Sequence, residues 1–303
     1  MEGGCRIEPL VLPKKTILKK EYEIKQKLAV GNFSIVYMGN DLKNGSPCIV
    51  KEFFPNQIVL RDLDNMNVVC RRPGLKLRYH KARDVFFGEA EILKGFYHRN
   101  IVRYIDHFME NNTGYIVTAY CKGKTLDRYI ENEADVSIGA FLRNIMVPLI
   151  DVGLELHKQA IIHRDIKPNN IMIDEEGQPV IIDFGSAIHY QNCKSKQIFV
   201  TPGFSPLEFY AGNTKQGRYS DIYSFAATLY YYLSGKAPEA ASERVIEDGI
   251  EDIRKYNSII SRTFSHIVMK NLSLDYRKRN SSLYFLRCGV YLEYLLIKMK
   301  RTG

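Results

Sequence analysis

The 303-residue chain contains no run of eighteen apolar residues, so it offers no helix able to cross a bilayer. The best apolar stretch near its end, 290–297, is short and holds Glu293. Its first residues, Met1-Glu2-Gly3-Gly4-Cys5, lack the apolar core of a signal peptide. Glutamate after Met1 excludes the myristoylation pattern. Six cysteines (Cys5, Cys48, Cys70, Cys121, Cys193, Cys288) are scattered, with no C-x-x-C pair and no zinc-ligand spacing. They read as reduced thiols of a cytoplasmic protein. Cys193 is followed by the cations Lys194 and Lys196, which would lower its thiol pKa; an inert surface cysteine is the plainer reading. There is no aromatic-glycine RNA-binding motif, no internal repeat and no low-complexity segment.

The composition is 45% hydrophobic and 25% charged, as in ordinary soluble globular proteins. The length suffices for one large domain or two lobes. A net charge of +9 suits solubility as well as an acidic partner.

Residues 1–20 read as a linker that becomes basic. From Tyr22 the pattern predicts strand, turn, strand around Val30-Gly31-Asn32-Phe33-Ser34, then a third strand at Ile49-Val50-Lys51. A lysine in an apolar strand needs a carboxylate. Phe87, Ile92 and Phe96 predict a helix over 84–97 that carries Glu89 and Glu91. Strands follow at 104–108 and 115–119 around the turn 111–114. Helical periodicity marks 141–156 and 223–233, and more weakly 243–257, 259–272 and 282–299.

The chemistry concentrates in Ile162-His163-Arg164-Asp165-Ile166-Lys167-Pro168-Asn169-Asn170-Ile171. A carboxylate, a lysine two residues on and an amide three beyond that suit phosphoryl transfer from one tight loop. Asp165 could accept a hydroxyl proton, Lys167 could neutralise phosphate charge, and Asn170 could hold a metal ion. Behind the apolar run 180–182 comes Asp183-Phe184-Gly185, a second carboxylate suited to Mg²⁺.

This pair of motifs resembles the eukaryotic-like Ser/Thr protein kinase family over about residues 22–290. The resemblance implies an α+β, two-lobed fold: a small, mainly β N-lobe with one key helix (22–118), a hinge (119–123) and a larger, mainly α C-lobe (124–290). Residues 1–21 would extend it at one end, and 291–303 would finish the last helix with a basic tail. It implies transfer of the γ-phosphoryl of ATP, with Mg²⁺ or Mn²⁺, to Ser/Thr hydroxyls of protein substrates, the chain itself included.

By resemblance, Lys51 orients the α- and β-phosphates and Glu89 holds Lys51. Leu28, Gly31 and Val36 line the nucleotide. Thr118 is the gatekeeper, the Cys121 backbone meets adenine and Asp127 lies near the ribose. Asp165, Lys167 and Asn170 are the catalytic set, and Asn170 and Asp183 the metal ligands. Val200 to Glu208 resembles the close of an activation loop, with Thr201 near the substrate hydroxyl. Glu208 would pair with Arg279, Asp221 would brace the catalytic loop, and Arg164 suggests control by a phosphate on Ser186, Ser195 or Thr201.

Two departures stand out. Where the family has three glycines around the phosphates, this chain has Ala29, Gly31 and Ser34, which predicts weaker ATP binding. Lys51 and Glu89 are also 38 residues apart, so 53 to about 83 is an insertion. It opens with Phe53-Phe54-Pro55, which resembles a bacterial subset of the family, and closes with cations from Arg71 to Arg83 that read as a solvated loop or a docking patch for an acidic partner. The altered loop also motivates an alternative, a pseudokinase scaffold that binds without turnover. A small-molecule kinase is disfavoured by Lys167. No sensor module is expected on the chain.

Overall fold

Burial alternates along 34–41 and 47–52, the pattern of two central strands of one antiparallel sheet. The computed structural model describes residues 10–132, 137–191, 200–211 and 214–302. Cys5, Cys193 and Ser195 therefore lie outside the described residues. The fold is α+β, and the chain divides into two units: residues up to Tyr97 with Val102–Tyr120, and His98–Ile101 with everything from Cys121.

The first unit holds β1 (Ile17–Leu18), β2 (Tyr22–Val30), β3 (Ser34–Asp41), β4 (Pro47–Phe53), β5 (Val59–Arg61), β6 (Val68–Cys70), α1 (Lys76–Lys94), β7 (Tyr104–Glu110) and β8 (Thr113–Ala119). Six strands form one sheet in the order β1-β2-β3-β4-β8-β7, with every neighbour antiparallel. Side chains alternate between its two faces. Val36 stands opposite Lys51, and Lys51 opposite Ile116, so these share one face. Ile35 stands opposite Glu52, and Glu52 opposite Tyr115, on the other.

The Lys51 side faces α1, where Phe87 meets His107. On the Glu52 side a core of Tyr22, Ile24, Ile35, Tyr37, Cys48, Val50, Tyr115 and Val117 is closed by Leu12, Leu18, Ile58, Val59 and Val68. Residues 10–20 are thus no linker: Tyr37 accepts from the Leu12 amide at 3.1 Å. The sequence hides this because a few apolar residues between lysines gain meaning only against the sheet.

The insertion is also more ordered than a loop. Its first half is the β5–β6 hairpin. Its cationic end is the first half of α1, which starts eight residues before the expected boundary. Leu75, Tyr79, Ala82 and Phe86 recur at helical spacing and pack on this core. The rings of Tyr79 and Phe86 each meet that of Phe53, tilted, at 5.3 Å between centroids.

The second unit contains β9 (Gly123–Thr125), α2 (Leu126–Asn132), α3 (Ile138–Phe141), a π-helical turn (Leu142–Met146), α4 (Val147–Lys158), β10 (Ile161–Ile162), β11 (Ile171–Asp174), β12 (Pro179–Ile181), β13 (Ile188–His189), α5 (Arg218–Ser234), α6 (Ala241–Arg244), α7 (Arg262–Asn271) and α8 (Leu283–Thr302). Small sheets β12-β11-β9 and β10-β13 bracket the stretch 163–170. Gly123 has φ 158° and an added Cβ would stand 2.0 Å from the Ile173 carbonyl oxygen, so only glycine lets β9 meet β11.

The expected helix over 243–257 is absent. The segment is α6 and a short 3-10 turn, Ile253–Lys255, because Asp252 caps that turn by accepting from the Arg254 amide. Arg244 folds inward onto Asp248 and the Tyr223 hydroxyl. Cys48, Cys70, Cys121 and Cys288 are free thiols. No described helix is long and apolar enough to cross a membrane.

Candidate active site

The strand β10 delivers the chain into a loop whose side chains turn on one carboxylate. Lys167 Nζ lies 2.9 Å from Asp165 Oδ1. Asn170 Nδ2 donates to Asp165 Oδ2 at 2.7 Å and to its backbone carbonyl at 3.0 Å. The Thr201 hydroxyl donates to Asp165 Oδ1 at 3.1 Å and accepts from Lys167 Nζ at 3.0 Å. Pro168 opens the 3-10 turn Pro168–Asn170 that sets Asn170 back toward Asp165. The Ile182 amide donates to the Asn170 carbonyl at 3.0 Å, which brings Asp183 beside the loop. Asp183 Oδ1 accepts from the Gly185 amide.

The loop backbone is held from below by Asp221, fully buried at the start of α5. Its carboxylate accepts from the His163 amide, the Arg164 amide and the His157 ring, each at 2.9 Å. Burial alone would raise its pKa; the hydrogen bond and charge of His157 and the Arg164 amide outweigh it and hold Asp221 below the usual carboxylate value. This bracing lets Arg164 keep a left-handed φ of 68°. Arg164 also donates to the Ser186 carbonyl and to Gln216. His163 packs edge-on to Phe184 at 4.7 Å, and burial pushes its imidazole well below the ordinary histidine value.

Glu208 and Arg279 form a buried two-pronged pair at 2.8 and 3.1 Å. Ser220 also donates to Glu208. Asp127 Oδ2 accepts from Asn169 Nδ2, while its buried Oδ1 has no hydrogen-bond partner among the described residues. Cys121 is half-buried, and burial pushes its thiol up to about 11.

In the first unit, Lys51 reaches both oxygens of Glu89 at 2.8 and 3.0 Å; Glu91 instead faces His107. Val36 and Lys51 are direct cross-strand neighbours, and Thr118 lies on the same face, opposite Ile49. Leu28 is exposed near the end of β2. Gly31 opens the tight turn, its amide donating to the Ser34 carbonyl at 2.8 Å.

The sequence reading missed the group behind Lys51. Glu52 is fully buried and takes both guanidinium nitrogens of Arg61 at 2.7 Å. The hydroxyls of Tyr37 and Tyr115 donate to it at 2.8 and 3.1 Å. Arg61 donates onward to the carbonyls of Leu10 and Met66. The one available signal was an acid next to Lys51 in a strand with alternating burial. The sequence reading likewise gave His157 no part in holding Asp221.

Comparison with known proteins accords with this geometry. The family described as "Protein kinase domain" matches residues 22–288. The Nostoc sp. protein named "Serine/threonine-protein kinase PknA" is 29% identical over 276 residues, covering 87% of this chain and 45% of that protein. "Serine/threonine-protein kinase B" of Synechocystis sp. is 28% identical, covering 88% and 45%. The chain thus spans just under half the length of these relatives. The solved structure titled "PpkA-294 apo form" superposes with a TM-score of 0.78 at 26% identity, covering 93% of this chain and 99% of that one.

Proposed function

The chain belongs to the protein kinase domain family, and from that premise we propose that it transfers the γ-phosphoryl group of ATP to serine or threonine hydroxyls of proteins, itself included, in the cytoplasm. The observation that carries this reading is the convergence of Lys167, Asn170 and the Thr201 hydroxyl on Asp165. A substrate hydroxyl joining Thr201 on the Asp165 carboxylate, which has lone pairs for both, would be oriented by it. Its oxygen attacks the γ-phosphorus, the bond to the β-phosphate oxygen breaks, ADP leaves and the hydroxyl proton passes to Asp165. Lys167 balances the charge on the transferred group. Lys51, held by Glu89, presents its ammonium to the α- and β-phosphates. The orphaned Oδ1 of Asp127 suits a ribose hydroxyl.

The donor set also fits Mg²⁺. Asn170 spends its Nδ2 on Asp165, which leaves its amide oxygen for a cation, and Asp183 adds a carboxylate. Bound there with the phosphates, Mg²⁺ would neutralise charge during transfer.

Ala29 and Ser34 in the phosphate turn favour a second reading, a binding scaffold without turnover. The test is transfer from labelled ATP, with Mg²⁺ or Mn²⁺, to the chain itself and to a generic basic protein. Label on serine or threonine, reduced by about 10²-fold or more in Asp165→Asn and abolished in Asp183→Asn, is expected. Nucleotide binding without label in any sample would select the scaffold. Label only on a small alcohol would refute protein phosphorylation.

A further inference from the structure

The last helix, α8, carries two apolar seams. Leu283, Leu286, Val290, Glu293 and Ile297 recur at three- and four-residue steps and are buried. Glu293 stays inside because the Ser261 amide and hydroxyl donate to it. Two residues further round, Phe285, Cys288, Leu292 and Leu295 repeat the same steps on the outside. Phe285 is 52% exposed and Leu292 58%. Tyr284, Tyr291 and Leu296 widen this outer stripe and are exposed too. The only charged side chain from 284 to 292, Arg287, is turned onto Asp151 of α4.

We propose that this outer seam binds a second copy of the chain as an antiparallel helix pair with Leu292 on the two-fold axis. Steps of three and four residues are the knobs-into-holes pattern of paired helices. The apolar side chains left in solvent amount to roughly 600 Å² per copy, so that a pair would bury about 1,200 Å², the lower end for a stable interface. A patch of that size is at the top of what a lone domain leaves exposed. Charge selects the direction. A parallel pair would crowd Lys298 and Lys300 against their copies. The antiparallel pair puts the two Lys300 side chains on opposite sides of the axis, roughly 24 Å apart at 1.5 Å per residue, beyond the ~10 Å screening length. It also opposes the helix dipoles favourably and sets Leu296 of one copy beside Cys288 of the other.

The test uses the whole chain in analytical ultracentrifugation across the micromolar range. A dimer is expected, with Leu292→Glu shifting it to monomer by at least tenfold in dissociation constant and leaving the melting temperature unchanged at a concentration where both chains are monomeric. Mild oxidation of a Cys288→Ser/Leu292→Cys chain is expected to give a disulfide-linked dimer through residue 292. Four outcomes would overturn the proposal: a monomer at 100 μM, a dimer indifferent to Leu292→Glu, a dimer that does not cross-link at 292, or a monomer that pairs only after residues 1–9 are removed, which would make that segment the occupant.

A separate observation concerns the turn between β2 and β3. The β3–β4 ladder continues past Phe53: the Phe54 amide donates to the Phe33 carbonyl at 2.8 Å and the Asn56 amide to the Asn32 carbonyl at 3.2 Å. Arg71 Nε in turn donates to the Asn56 carbonyl at 3.0 Å. In a trans peptide the C=O and the next N–H point opposite ways. Fixing the Asn32 and Phe33 carbonyls on the insertion therefore aims the amides of Phe33 and Ser34 away from it. We infer, resting on the kinase reading, that the insertion presets these amides for phosphate and replaces conformations that the missing glycines would otherwise supply.

Arg71→Ala is expected to raise KM for ATP roughly tenfold, the worth of a directed hydrogen bond, with kcat at saturating ATP unchanged. In the nucleotide-free chain it should speed hydrogen exchange at Phe54 and Asn56. Faster exchange with unaltered KM, or unaltered exchange, would refute the inference. A parent chain that binds no fluorescent ATP analogue would refute the kinase reading instead, while exchange still reports the clamp.

Discussion

Thr201 and Asp165 share one hydrogen bond, 3.1 Å from hydroxyl to Oδ1, and Lys167 donates to the same hydroxyl. Thr201 thus ties the carboxylate to the ammonium and fixes the geometry that a substrate hydroxyl meets. A bond to a charged group is worth about 1.5–3 kcal/mol. Thr201→Val should lower kcat/KM by roughly ten- to a hundredfold, and Thr201→Ser should keep most of it. Steady-state transfer to a peptide checks both.

Glu52 and Arg61 form a buried pair with almost no exposure. Removing one partner strands the other charge, at a cost of about 3–5 kcal/mol. Arg61→Met should lose that much in urea unfolding. Adding Glu52→Gln removes the stranded charge; its amide oxygen accepts from one tyrosine hydroxyl and its NH2 donates to the other, so the double variant should recover part of the loss.

His163 predicts acid sensitivity. Its folded pKa lies below the unfolded value of 6.5 because burial disfavours the cation. The unfolded chain then binds more protons below pH 6.5, so stability is full above that pH and falls as pH drops through it. Asp221 adds a loss of the same sign, as pH falls below 3.8 through its lowered folded value. His163→Phe keeps the packing on Phe184 and removes the imidazole titration. Its unfolding midpoint should vary less between pH 5 and 6.5 than that of the parent.

Gly123→Ala should be poorly tolerated. The new methyl group would stand 2.0 Å from the Ile173 carbonyl oxygen, a backbone atom with no rotamer to yield. Loss of the β9–β11 pairing should appear as faster amide exchange at Thr125 and Met172, or as failure to fold.

The sequence made one half of this picture legible. Lys51 announced a need for a carboxylate because a lone charge in an apolar strand is costly, and helical spacing offered two acids, one of which, Glu89, the structure brings to it. The loop around Asp165 was legible because its residues contact one another within six positions of chain. Glu52 and Arg61 were not, because their partners come from segments that read as linker and loop. Burial there is made by tertiary packing of short apolar pieces among cations, and no local periodicity reports it. The first half of α1 was hidden likewise: its cations dominate the composition, while the few residues that pack, Tyr79 and Phe86, depend on Phe53 for their meaning.

The residues ahead of Tyr22 carry a practical consequence. The family match begins at residue 22, yet Leu12 and Leu18 sit inside the sheet's second core and the Leu10 carbonyl takes a hydrogen bond from Arg61. The unit that evolution shares and the unit that folds therefore have different edges. A truncated or grafted version cut at Tyr22 would strip the cover from Tyr37 and Val50 and leave Arg61 short of an acceptor. Chimeras and minimal versions of this domain should carry the chain from Leu10 or earlier.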